Sequence, residues 1–221
     1  MKNRGYIVKP PYGMEQDMAR RVGQHHGDLR RALLDAALEL VGAADIQAVT
    51  LREVARRAGV SPSACYHHFP DKDALLAAVA CEGFAALAAV QTRQRSRSPE
   101  KRLEKLGAAY LRFALAHPTH YRVMFRAAPG EVGGEGSDLL RSTARTTFDT
   151  LVAAVAAVIP EAPPAVWLQR ALLSWAEVHG AVEVARWAHA LDPSFDADAF
   201  ASSVGVAVVA MTTQGRRASA A

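Results

Sequence analysis

Residues 50–76, TLREVARRAGVSPSACYHHFPDKDALL, constrain the fold most, because they crowd three helix starts and two stops into one short segment. Thr50 opens an apolar-periodic run through Leu51, Val54, Ala55 and Ala58, which Gly59 closes. Ser61 with Pro62 behind it reads as an N-cap followed by proline at the first helical position. Phe69 and Pro70 keep that second helix short, and Asp71 starts a third. Two short helices joined by a tight Gly59-Val60-Ser61 turn form a helix-turn-helix, which presents its second helix to the major groove of DNA.

The rest of the chain has the same 3.6-residue period. Leu29, Ala32, Leu33, Ala36 and Leu40 line one helix face, with Asp28 placed to cap the start. Leu75, Val79 and Leu87 mark the helix after Asp71, and the basic run at 93–102 separates it from a helix through Leu103, Leu106, Tyr110 and Phe113. Pro118 opens a brief helix through Tyr121, Met124 and Phe125, and PGEVGGEGS at 129–137 reads as a mobile loop. Helices are expected near 138–159, 165–190 and 196–212, with no alternating strand pattern. The expected fold is all-α with about nine helices and no internal repeat. It divides into an extension at 1–24, ordered or flexible, a three-helix DNA-binding head at 25–75, and a ligand-binding and dimerisation domain at 76–215.

Composition narrows the function. Half of the 221 residues are apolar and 22% charged, which is enough to build a core and too apolar for a disordered chain. Cys65 and Cys81 are too few for a disulfide framework and suit a reducing, cytoplasmic setting; inert core cysteines and a redox pair are the two readings. The N-terminus lacks the apolar core of a signal peptide. ALLAAVACEGFAALAAV is interrupted by Glu82 and Gly83 and falls short of the roughly 20 residues that span a bilayer, so no membrane partner is expected. Residues 1–105 carry 17 Lys and Arg against 12 Asp and Glu, whereas 106–221 carry 9 against 10. That asymmetry fits either a front end that meets a polyanion or a solvated surface with a chance excess.

On the second short helix, Pro62, Ser63, Ala64 and His67 are the positions expected to read bases, with Val60 and Cys65 inward. Tyr66, His68 and Lys72 supply phosphate donors at and beyond the helix end, and Arg52 offers a clamp from the preceding helix. His25 and His26 could suggest a metal pair, but adjacent helix residues diverge and no further ligands join them, so a solvated or DNA-facing role is expected, with no metal or cofactor.

These residues resemble the TetR-type family of bacterial transcriptional repressors. Its pattern is met by Thr50, Gly59, Val60, Ser61, Tyr66, His68, Phe69, Lys72, Leu75 and Leu76, while Cys65 departs from the family's bulkier apolar residue. HHGDLRRALLDAALEL at the front, HPTHYRVMF at 117–125, and Trp175, His179 and Gly180 in WAEVHG resemble the branch with a tryptophan-histidine-glycine C-terminal domain. The resemblance implies a homodimer whose paired heads occupy successive major grooves of double-stranded operator DNA, and which a ligand releases.

The effector is expected to be small and mostly hydrophobic, held among Tyr110, Phe113, Met124, Phe148 and Trp175 with His179 as one polar contact. The aromatic set Tyr110, Phe113, Tyr121, Phe148, Trp167 and Trp175 could line a pocket or fill a helical core, and for His179 the favoured reading is a core histidine satisfied by one internal hydrogen bond, ahead of a ligand contact. The last two helices are expected to dimerise through Phe200, Val204, Ala207, Val208 and Met211, with Ala181 and Ala185 allowing close approach. The competing classes are a helical adaptor or an enzyme with a helix-turn-helix that does not read DNA. Against the enzyme stands the lack of GxSxG, HExxH, P-loop and GxGxxG patterns.

Overall fold

The computed structural model describes residues 14–44, 46–126 and 136–214, with side chains from Leu29 onward. Among these residues the chain is all-helical. Nine α-helices run α1 (Met14–Ala43), α2 (Leu51–Arg57), α3 (Pro62–His68), α4 (Lys72–Thr92), α5 (Pro99–Ala116), α6 (Pro118–Met124), α7 (Ser137–Val158), α8 (Pro164–Leu191) and α9 (Ala197–Thr213), with a 3-10 turn at Ile46–Ala48. The chain divides into two compact units between Pro70 and Asp71, five residues before the expected boundary.

The first unit is the three-helix head. The two short helices are capped as their sequence dictates: Thr50 accepts from the Glu53 N–H at 3.2 Å, and the Ser61 hydroxyl from the Ala64 N–H at 3.2 Å. Gly59 takes φ +72°, a left-handed turn that a side chain would strain although the surrounding space is open. Leu33, Leu34, Ala37 and Val41 of α1 are buried, as are Leu51, Val54 and Ala55 of α2 and Cys65 of α3. Arg57 reaches Glu39 at 3.0 Å, and the Arg30 guanidinium lies 5.3 Å from the centre of the Phe69 ring, so both short helices are tied back to α1.

Asp28 does not cap α1. The helix is continuous from Met14, and Asp28 lies inside it. Residues 14–28 are mostly good helix formers without an apolar stripe, so propensity extends the helix where periodicity gives no signal. The side chains of His25 and His26, and the loop expected at 129–137 as far as Glu135, lie outside the described residues.

The second unit packs α5 against α9 and α4 against α6 and α7, with α8 laid along α5, α7 and α9. Asp71 caps α4 by accepting from the Ala74 N–H at 2.7 Å. At 21 residues α4 is long and apolar enough by length and composition to cross a membrane, so the expected shortfall in length does not hold. Its apolarity has a different cause: Leu75, Leu76, Val79, Phe84 and Leu87 are buried within this unit.

Candidate DNA-binding face and effector cavity

The head presents the outer side of α3. Pro62, Ser63, Tyr66 and His67 are exposed, Ala64 and His68 are half-buried, and Cys65 points into the core, where burial pushes its thiol pKa up and keeps it protonated. Val60, expected inside, is only half-buried. The Ser63 hydroxyl lies 2.9 Å from that of Ser61, so the capping residue partly orients it. Arg52 is exposed on α2, while Lys72 is half-buried at the first position of α4 in the second unit.

The second unit encloses a cavity of about 650 Å³ between α4, α5, α7 and α8, a size suited to a drug-sized molecule. Phe84, Leu87, Leu106, Tyr110, Met124, Phe125, Phe148, Leu151 and Trp175 form its apolar walls. Phe148 and Phe125 flank Trp175 with ring centres 6.1 and 6.0 Å away. Tyr110, Met124, Phe148, Trp175 and His179, all expected from sequence, line this space. Phe113 does not. It is buried away from the lining with its ring 4.8 Å from that of His117. Trp167 is likewise engaged elsewhere, donating its indole N–H to the Ile159 carbonyl at 3.0 Å.

His179 ends a chain of polar groups along the wall. The Trp175 indole N–H donates to the Tyr110 hydroxyl at 3.3 Å, and Tyr110 donates to the Tyr121 hydroxyl at 3.3 Å. The Tyr121 hydroxyl lies 2.6 Å from His179 Nδ1 and that of Tyr110 3.2 Å from the same atom. Burial pushes the Tyr110 pKa up to about 12 and raises that of Tyr121 further, so both phenols keep their protons. Burial also lowers the His179 pKa, against a smaller opposing effect of Glu183, which favours the neutral ring. The consistent assignment has Tyr121 donating to an unprotonated Nδ1, leaving the Nε2–H as the imidazole's remaining donor. His179 is therefore both internally bonded and part of the cavity wall, two roles that sequence treats as alternatives.

Sequence reasoning missed five polar lining residues, Gln91, Arg141, Arg145, Thr147 and Ser174. Gln91, at the last turn of α4, is 6% exposed and lines the cavity. Arg141 and Arg145 of α7 also reach it, each paired along its own helix, with Asp138 and with Asp149 respectively. The arginines were legible as an i, i+4 pair, and Gln91 falls by spacing on the face of Phe84 and Leu87, but a polar residue carries no apolar signal of its own to mark it as inward.

The exposed apolar surface also differs from expectation. Val204 and Val208 are buried within the second unit, where α9 packs on α5, and Ala181 and Ala185 of α8 are covered too. On the last two helices the exposed large apolar residues are Leu168, Leu172, Leu173, Val184, Trp187 and Leu191 on α8 and Val206 on α9. Among the described residues no group of three or more His, Cys, Asp or Glu could hold a metal ion.

Residues 33–79 match the model described as bacterial regulatory proteins, tetR family, and residues 103–207 match the tetracyclin repressor-like C-terminal domain. The HTH-type transcriptional regulator BetI of Rhizobium meliloti is 51% identical over 49 residues, 22% of this chain and 24% of that protein. An uncharacterized HTH-type transcriptional regulator of Haemophilus influenzae is 32% identical over 109 residues, 46% of this chain and 51% of that one. The chain thus spans a quarter to a half of the length of these curated relatives. A protein of unknown function from Rhodococcus sp. RHA1 superposes with TM-score 0.67 at 26% identity, covering 82% of this chain and 94% of the other. The TetR family transcriptional regulator PfmR from Thermus thermophilus superposes with TM-score 0.64 at 16% identity, over 80% of this chain and 97% of that one, a likeness of fold.

Proposed function

We propose, from the premise that this chain carries a TetR-family N-terminal domain and a tetracyclin repressor-like C-terminal domain, that it is a transcriptional repressor whose grip on operator DNA is broken by a small effector. The observation that carries the reading is the capped helix-turn-helix of the head, with Ser63, Tyr66 and His67 exposed while Cys65 anchors the helix from behind. Pro62, Ser63, Ala64 and His67 read base edges, and Arg52, Tyr66, His68 and Lys72 hold phosphates. The chain is a regulator and not an enzyme, and it works in the cytoplasm, where its operator is.

A pair of heads is needed to span two half-sites, and the exposed apolar stripe of α8 with Val206 of α9 supports a two-fold dimer built from the last two helices. The placement in the tryptophan-histidine-glycine branch rests on Trp175 and His179, which share one cavity wall, and on the neighbouring Gly180. The effector is mostly hydrophobic, since the walls are dominated by aromatic and aliphatic side chains. Bound effector prefers one separation of the heads, and a differential affinity of about 1–3 kcal/mol lowers operator binding 5- to 150-fold.

The test is retention of the full chain on duplex DNA across a salt series. Affinity should fall linearly with the logarithm of salt concentration, with several phosphates in the slope. Absence of retention at low salt would return the chain to the adaptor or enzyme class.

A further inference from the structure

Among the described residues two buried side-chain oxygens lack any hydrogen-bond partner, Gln91 Oε1 and Glu177 Oε2, and of these two residues only Gln91 lines the cavity. An amide oxygen buried in the wall that Phe84, Leu87 and Phe148 also line is costly unless something bonds it, because it has given up water and no protein donor reaches it. Gln91 follows Phe84 and Leu87 at spacings of seven and four on α4, so the register that buries those two side chains also turns Gln91 inward.

The charges nearby point the same way. Arg141 and Arg145 line the cavity, but both side chains are largely exposed and each is paired with Asp138 or Asp149, so neither places a buried, uncompensated positive charge among the apolar walls. An uncharged ligand needs no such partner. The aromatic walls accept its apolar body, and the Gln91 carboxamide supplies an unmet acceptor.

We infer that Gln91 is the specificity-determining residue of the cavity, and that the effector is an uncharged apolar molecule bearing a hydroxyl or amide group that hydrogen-bonds the Gln91 carboxamide. A hydroxyl both donates and accepts, so it satisfies the carboxamide in either orientation of its oxygen and nitrogen. The inference rests on the reading of the cavity as an effector site, and it narrows that effector from mostly hydrophobic to hydrophobic with one fixed polar point.

The experiment measures binding of three matched probes, 4-phenyl-1-butanol, butylbenzene and 4-phenylbutyrate, to the full chain and to Gln91→Leu. Tryptophan fluorescence reports binding, since Trp175 forms part of the wall. The alcohol-to-hydrocarbon affinity ratio should fall about tenfold in Gln91→Leu, the worth of one neutral hydrogen bond. The variant should fold with an unchanged or higher midpoint, because it removes a buried polar group rather than a contact. An unchanged ratio, preference for the carboxylate, or no binding of any probe would overturn the inference. Duplex retention of the unsubstituted chain, run in parallel, separates the two failures: retained DNA with an unchanged ratio defeats only the role of Gln91, whereas lost retention defeats the regulator reading itself.

Discussion

Gly205 of α9 lies so close to the Glu104 carbonyl of α5 that a Cβ at position 205 would overlap that oxygen. Across the same crossing, a Cβ on Gly107 would come 3.3 Å from the Gly205 Cα. Two glycines thus let the α5 and α9 backbones approach in the interior of the second unit, behind the cavity wall that Leu106 and Tyr110 form.

Gly205→Ala should therefore destabilise the protein despite alanine's better helix propensity. The obstruction is backbone, which cannot swing aside as a flexible side chain would. Overpacking of this kind costs about 1–3 kcal/mol, against a propensity gain of about 1 kcal/mol. Urea unfolding of the variant should show a lower midpoint with an unchanged slope; a midpoint at or above that of the parent would mean that the helices separate freely.

The neutral His179 makes stability depend on pH. Burial holds its folded pKa below the ordinary 6.5, so above 6.5 neither folded nor unfolded ring is charged and nothing is lost. As pH falls below 6.5 the unfolded chain takes up a proton that the folded chain resists, and stability declines. Tyr121→Phe removes the hydroxyl that favours the unprotonated Nδ1, so the folded pKa should rise and this part of the decline should shrink. NMR titration of the His179 ring in both proteins checks the direction, and a downward movement in Tyr121→Phe would reverse the assigned donor.

Trp187, 69% exposed, stands in the outward stripe of α8, and a charge there should break the proposed dimer while leaving the chain folded. Trp187→Glu is expected to sediment as a monomer with its helical circular dichroism intact. Val208→Asp should behave differently, because Val208 is 1% exposed inside the unit and an unpaired carboxylate there unfolds it. A folded dimer of Trp187→Glu would place the two-fold elsewhere.

For DNA binding, Lys72→Ala should weaken all duplexes similarly and reduce the salt slope by about one, whereas changes at Ser63 should alter which bases are preferred. Binding-site selection with Ser63→Ala that returns the parental consensus would remove Ser63 from the reading surface.

The elements that sequence revealed were those with local punctuation. Thr50, Ser61 and Asp71 cap the helices they were expected to cap, since a cap bond reaches only three residues along the chain. The extension of α1 back to Met14 was hidden because a polar helix has propensity without periodicity. The orientation of α9 was misjudged for the opposite reason: it is apolar on two faces, with Val204 and Val208 turned inward and Val206 and Ala207 outward, and no periodicity says which face the partner takes. Tyr110 and Phe113 share a helix stripe, yet only one of them meets the cavity, because that space depends on where α7 and α8 lie. Gln91 needed the cavity itself to be seen.

Helix α4 has Gln91 in its last turn and begins at Lys72, the second residue of its unit, so one stiff rod runs from the cavity to the start of that unit. Its 21 residues give it a length of about 30 Å at 1.5 Å of rise per residue. A tilt of about 5° about the Gln91 end sweeps the Lys72 end through roughly 2–3 Å on that length, comparable to half the rise of a helical turn.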